Sequence, residues 1–133
     1  MKQLRLTIEL VPNTLWGDSL YKSLRRSVWN KLRKQVIAQQ NARCGICQVE
    51  NVTLICHEIW QYDDMSHTRI LTGLIAICAM CDHCKHLGLT KNLAVENKLD
   101  LSKVIEHFMR VNQCSYEEYQ AYDNEAFKIW REK

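Results

Sequence analysis

Arg43-Cys44-Gly45-Ile46-Cys47 and Ile77-Cys78-Ala79-Met80-Cys81-Asp82-His83-Cys84-Lys85-His86 are the two stretches that decide how this chain folds. Each carries a Cys-x-x-Cys pair. Zn²⁺ takes four thiolates in a tetrahedron, and one such pair spans one edge of it. Two pairs close the site and leave no position for water, so the role expected of the ion is structural. The spacing therefore predicts a structural zinc at Cys44, Cys47, Cys78 and Cys81. Cys81-Asp82-His83-Cys84 is a third Cys-x-x-Cys, which leaves Cys84 as an alternative to Cys78 or Cys81. The pair Cys78 and Cys81 is preferred because it straddles the end of a strand and the start of a helix, where a second knuckle belongs.

Between the knuckles, Val52 to Ile59 and Ile70 to Ile77 are rich in β-branched and apolar residues, as two paired strands would be. The polar run Asp63 to Thr68 joins them. A short helix is expected from Cys81, stopping at Gly88. Upstream, Leu4, Leu6, Ile8 and Leu10 alternate with polar residues, so a strand is expected over about residues 3–10, ended by Pro12 and Asn13. A long helix should follow from Ser19 to Gln40, with Asp18 or Ser19 as its cap and Leu20, Leu24, Val28, Leu32 and Val36 as its inward stripe. Downstream, Leu101, Val104, Ile105, Phe108 and Val111 form one amphipathic face. Ser115 with Glu118 reads as a capping box opening a last helix, with Tyr119, Tyr122, Ala126 and Trp130 inward. The fold class is α+β: an N-terminal strand and long basic helix (1–41), a central ββα zinc core (42–88) and a helical C-terminal part (89–133).

The composition suits one such domain. The 133 residues are 47% hydrophobic and 25% charged, with four glycines and one proline, too few for a linker of any length. No run approaches the roughly 20 apolar residues of a membrane-spanning helix. The opening MKQLRLTIEL is too charged for a secretory leader. Seven cysteines in that setting point to a reducing compartment and metal binding rather than disulfides, and an odd number could not all pair. Charge is uneven: residues 1–43 carry nine Lys or Arg against Glu9 and Asp18 alone. Lys22, Arg25, Arg26, Lys31, Arg33 and Lys34 lie off the expected inward stripe with no acid among them, which suits a phosphate partner. A solvated helix face accounts for the same charges equally well.

Cys56-His57-Glu58 on the first strand, then a second strand, then a helix with Asp82 and His86 after a Cys-x-x-Cys resembles the HNH endonuclease family, of the ββα-metal type. The resemblance covers residues 42–88. The spacing Pro12-x-x-x-Trp16 and the pair Val111-Asn112 look like one bacterial and phage branch of that family. The resemblance implies that His57 is the general base that activates water against a scissile phosphate. It implies a second, divalent ion, Mg²⁺ or Mn²⁺, at Asp82 and His86, with Cys56 standing where a metal-binding Asp is common. Positions 82 and 86 share one helix face. Two departures stand out. No Asn occurs between His57 and His86, with Gly73 near the family's usual Asn, and Asp82 replaces the first helix His.

Two functions follow as expectations. One is a metal-dependent DNA endonuclease, with the basic helix touching phosphates. The other is a catalytically degenerate protein that binds nucleic acid, DNA rather than RNA, or a host nucleoprotein complex, as a phage-encoded inhibitor of host defence would. Either belongs in the cytoplasm of a bacterial or phage-infected cell. A transcription-factor zinc finger fits less well, because a two-strand insert separates the knuckles where a finger has its recognition helix. His83, His67 and His107 are read as lying outside the site, with His107 structural. The tryptophans are read as core and Cys114 as a buried thiol.

Overall fold

A computed structural model describes residues 3–10, 19–63, 65–66 and 68–132. The expectations placed on Pro12, Asn13, Trp16, Asp18 and His67 lie outside these residues. The elements are α1 (Leu20–Ser23), α2 (Arg26–Gln39), β1 (Leu54–Asp63), β2 (Thr68–Cys78), α3 (Ala79–Lys85), α4 (Leu87–Val95), α5 (Leu101–Asn112) and α6 (Tyr116–Arg131). The class is α+β, with one two-stranded antiparallel sheet among the described residues. The chain packs as two compact units, Pro12–Cys78 and Met1–Val11 with Ala79–Lys133. The boundary between Cys78 and Ala79 falls inside the second Cys-x-x-Cys.

In the unit Pro12–Cys78, α2 packs on the β1–β2 hairpin. Both strands run farther toward the hairpin tip than their apolar cores suggest. The ladder runs from Leu54 opposite Cys78 to Asp63 opposite Thr68, with a register shift between Ile59 and Trp60. At that shift the Thr72 hydroxyl donates to the Ile59 carbonyl at 3.1 Å, which gives the extra residue of the bulge a bond of its own. Arg69 stacks its guanidinium 3.8 Å from the centre of the Trp60 ring.

The expected helix from Ser19 to Gln40 is two helices. Leu24 (ψ 150°) and Arg25 (ψ 146°) are extended and separate α1 from α2. The Glu58 carboxylate accepts from the backbone N–H groups of Leu20 (2.6 Å) and Tyr21 (3.1 Å). It thereby places a negative charge at the start of α1. The inward residue of α2 is Trp29, 7% exposed, whereas Val28 is 43% exposed. A row of residues spaced by four advances 400° per step, so it drifts about 40° round a 3.6-residue helix each time. The Leu20-to-Val36 row therefore could not stay on one face. Trp29 also meets Tyr21 edge-to-face, with ring centres 5.3 Å apart.

In the other unit, residues 3–10 form no β-ladder, and the chain bends at Arg5 and Leu6. Their alternation is real, since Leu6 is fully buried, but the backbone partners come from helices. Asn112 Oδ1 accepts from Arg5 N and Leu6 N, each at 2.9 Å, and Asn112 Nδ2 donates to the Leu6 carbonyl at 2.9 Å. Glu9 N donates to the Lys85 carbonyl, and Lys85 Nζ donates to Thr7 Oγ1 (2.8 Å) and Glu9 Oε1 (2.9 Å). One side-chain amide thus does the work of a neighbouring strand. Gly88 does not end a helix: it lies inside α4, which begins after His86. Helices α5 and α6 match expectation, including the reciprocal capping box of Ser115 and Glu118. Phe108 packs edge-to-face on Tyr119 at 5.3 Å.

Asn112→Ala should lower stability by about 2–4 kcal/mol, because it strands buried backbone groups at Leu6 that have no access to water. Urea unfolding of the two proteins checks this: the midpoint should fall while the slope stays unchanged.

Candidate metal centre

The first knuckle begins where Gln40 ends α2. The Gln40 side chain pairs with both backbone groups of Ala76, Nε2 donating to the carbonyl at 2.8 Å and Oε1 accepting from the N–H at 2.9 Å. The Ala76 carbonyl also accepts from Gly45 N at 2.9 Å. The knuckle is therefore pinned to β2. Gly45 is required there, since a Cβ would lie 2.5 Å from Ile75 Cγ1. Cys44 N donates to the Val49 carbonyl and Gln48 N to the Cys44 carbonyl, each at 3.0 Å. Gln48 closes the loop with φ 68°, the left-handed region that a side chain adopts at a cost.

This folding points sulfur atoms at one another. One ligand atom from each of Cys44, Cys47, Cys78 and Cys81 lies within 4.8 Å of all the others. Cys44 and Cys81 are fully buried. Cys47 Sγ lies 3.6 Å from Cys78 Sγ, close to the edge of about 3.8 Å that a tetrahedron with arms of about 2.3 Å requires. None of the seven cysteines forms a disulfide. Cys44 Sγ accepts from Cys47 N (3.5 Å) and Cys78 N (3.3 Å). Two N–H donors aimed at one sulfur suit a thiolate.

Cys84 is not in the group. Its Sγ lies 3.5 Å from the Val104 carbonyl, to which only a protonated thiol can donate. The group that could hold a metal therefore takes its second pair from Cys78 and Cys81. Cys114 is half-buried and also stands apart.

A second group forms from His57, Asp82 and His86, whose ligand atoms likewise lie within 4.8 Å of one another. His57 is on β1 and 7% exposed. Asp82 and His86, one turn apart, place Oδ1 and Nε2 3.5 Å from each other. Cys56 is not part of this group. Successive strand residues point to opposite faces, so Cys56 turns away from the face of His57. Burial, and then the Glu58 carboxylate, push the Cys56 thiol above its ordinary range, against a smaller opposing effect of Arg33. It stays protonated at neutral pH, which makes it a poor ligand.

The six basic residues divide. Lys22, Arg25, Arg26, Lys31 and Lys34 are exposed, and Arg33 is half-buried. Arg26 lies over the Tyr21 ring, 3.5 Å from its centre, and donates to the Tyr21 carbonyl. Arg33 donates to the Leu54 carbonyl at 3.0 Å. These two are engaged inside the unit. His107, expected to be structural, is buried with its Nε2 3.2 Å from Cys81 Sγ. Nothing in its amphipathic helix marks it in the sequence except an Arg three residues on. Comparison with protein-family models, with curated proteins and with solved structures gave no match. What the two groups do is therefore argued from their chemistry.

Cys81→Ser should remove bound metal and lower stability steeply, while Cys84→Ser should keep the metal, with at most a modest loss of stability from the altered contact to Val104. Metal content per folded chain by plasma emission spectrometry distinguishes the two.

Proposed function

We propose that this protein is an HNH-type, metal-dependent phosphodiesterase acting on DNA, built on a ββα core held by a structural Zn²⁺. The observation that carries this reading is the convergence of His57, Asp82 and His86. A strand histidine meets a carboxylate from α3 and the imidazole of His86, which directly follows α3, in the chain order β1, β2, α3. Four closely set cysteines support zinc rather than a harder ion, because thiolates select soft or borderline metals. The donor set of the second group fits a different ion. A carboxylate with an imidazole suits Mn²⁺, and the carboxylate alone suits Mg²⁺. Two ligands 3.5 Å apart reach one ion without rearrangement.

In this reading Asp82 and His86 hold the ion and His57 works on the nucleophile. The ion, when bound, neutralises charge that builds on the phosphoryl oxygens. An imidazole nitrogen of His57 accepts a proton from a water. The water oxygen bonds to phosphorus as one P–O ester bond breaks, and the leaving oxygen takes up a proton. Burial on β1 fixes the ring's position, so His57 meets the water without first being ordered. The exposed Lys31 and Lys34 of α2 supply phosphate contacts.

Two observations favour a second reading, a DNA-binding protein without catalysis. Cys56 cannot complete the ion site, and no Asn follows His57 before His86. Such a chain would grip DNA or a nucleoprotein and leave it intact.

His57→Ala should lower plasmid cleavage with Mn²⁺ or Mg²⁺ by about 10²–10⁴-fold, with zinc content unchanged. A variant that cuts as fast as the parent removes His57 as the base. A parent protein that holds one zinc and cuts no DNA with either ion establishes the binding reading.

Lys31→Glu with Lys34→Glu should weaken DNA binding and flatten the plot of log affinity against log salt by about one to two units, as each lost phosphate contact removes about 0.9. Fluorescence anisotropy from 50 to 200 mM salt measures this. An unchanged slope assigns the charges to a solvated face.

A further inference from the structure

The imidazole of His107 touches two groups that together fix its proton. Nε2 lies 3.2 Å from Cys81 Sγ, and Nδ1 lies 3.1 Å from an NH2 nitrogen of Arg110. A guanidinium carries donors only. Nδ1 must therefore offer its lone pair to Arg110. A neutral ring has a single N–H, so that hydrogen sits on Nε2 and points at Cys81 Sγ. The sulfur is the acceptor. The geometry is inherited from α5, where residues three apart are neighbours on one face, and His107 is 5% exposed.

We propose that His107 is a positioning residue of the four-cysteine centre, held by Arg110 so that its Nε2–H bonds the Cys81 thiolate. The proposal rests on reading that centre as a zinc site. Four thiolates around Zn²⁺ carry a net charge of −2, and a donor aimed at one sulfur draws off part of it. That makes the sulfur less open to protons and electrophiles and fixes its direction toward the metal. Partners of this kind typically change metal affinity by about 10–100-fold when removed. The arrangement also ties α5 to the second knuckle through a side chain that a merely apolar core would not need.

The test uses the full chain loaded with zinc, and separately with Co²⁺ in its place. His107→Phe fills the ring's space but has no donor. His107→Gln returns an N–H near the Nε2 position. Arg110→Met removes the group that sets the proton on an exposed residue, so the core stays filled should the Phe variant not fold. The expected result is zinc release to a metallochromic chelator at least about 10-fold faster in His107→Phe, a shifted sulfur-to-Co²⁺ charge-transfer band, recovery of both in His107→Gln, and an intermediate effect in Arg110→Met. Release rates and spectra equal to the parent's in Arg110→Met and in whichever His107 variant folds would overturn the proposal. Parent protein without zinc overturns the metal reading itself, and the stoichiometry separates that failure from the first.

Discussion

Four sulfur atoms held within a few ångströms of one another, two of them fully buried, are the constraint on which the rest of this molecule depends. Such a cluster, as thiolates, calls for a cation. Cys44 Sγ receives two backbone N–H groups, and Cys81 Sγ receives the Nε2–H of His107. Donors directed at sulfur suit a negatively charged sulfur. Cys84, a few residues away, shows the opposite polarity, giving its hydrogen to a carbonyl.

That contrast explains which parts of the site were legible in the sequence. Cys-x-x-Cys is a local motif, and its spacing alone sets a tetrahedral edge. Cys44, Cys47, Cys78 and Cys81 could therefore be named before any fold was known. The strands could be named from β-branching, since a two-stranded sheet asks little else. His57, Asp82 and His86 came from a resemblance, and their meeting depends on long-range placement that no local pattern encodes. Cys56 was named by the same resemblance, and it lies outside the group of His57, Asp82 and His86. His107 was passed over because a histidine on an amphipathic helix is usually a core residue.

The misread elements have physical causes of the same kind. Alternation over residues 3–10 reports burial of one side, not the presence of a neighbouring strand. Here the missing strand is replaced by Asn112 and by the Lys85 carbonyl. Apolar periodicity over residues 19–40 contained no proline or glycine to mark the break at Leu24 and Arg25. The start of α1, too, is capped by Glu58, from a strand far off in the sequence. In the same way Arg26 and Arg33 counted as free charges until a ring and a carbonyl claimed them.

The two groups of ligands meet in one short helix. Cys81 and Asp82 are consecutive, and a helix turns about 100° per residue, so they leave α3 in different directions. His86 returns one turn later to the side of Asp82. Consecutive residues of α3 thus belong to two groups whose donors differ: sulfur in one, oxygen and nitrogen in the other. The carboxylate of Asp82 keeps a 3.5 Å contact with the imidazole one turn on, and the neighbouring Cys81 is fully buried among the sulfurs. Because Cys81 and Asp82 are adjacent in α3, any change that turns this helix moves a donor of both groups at once.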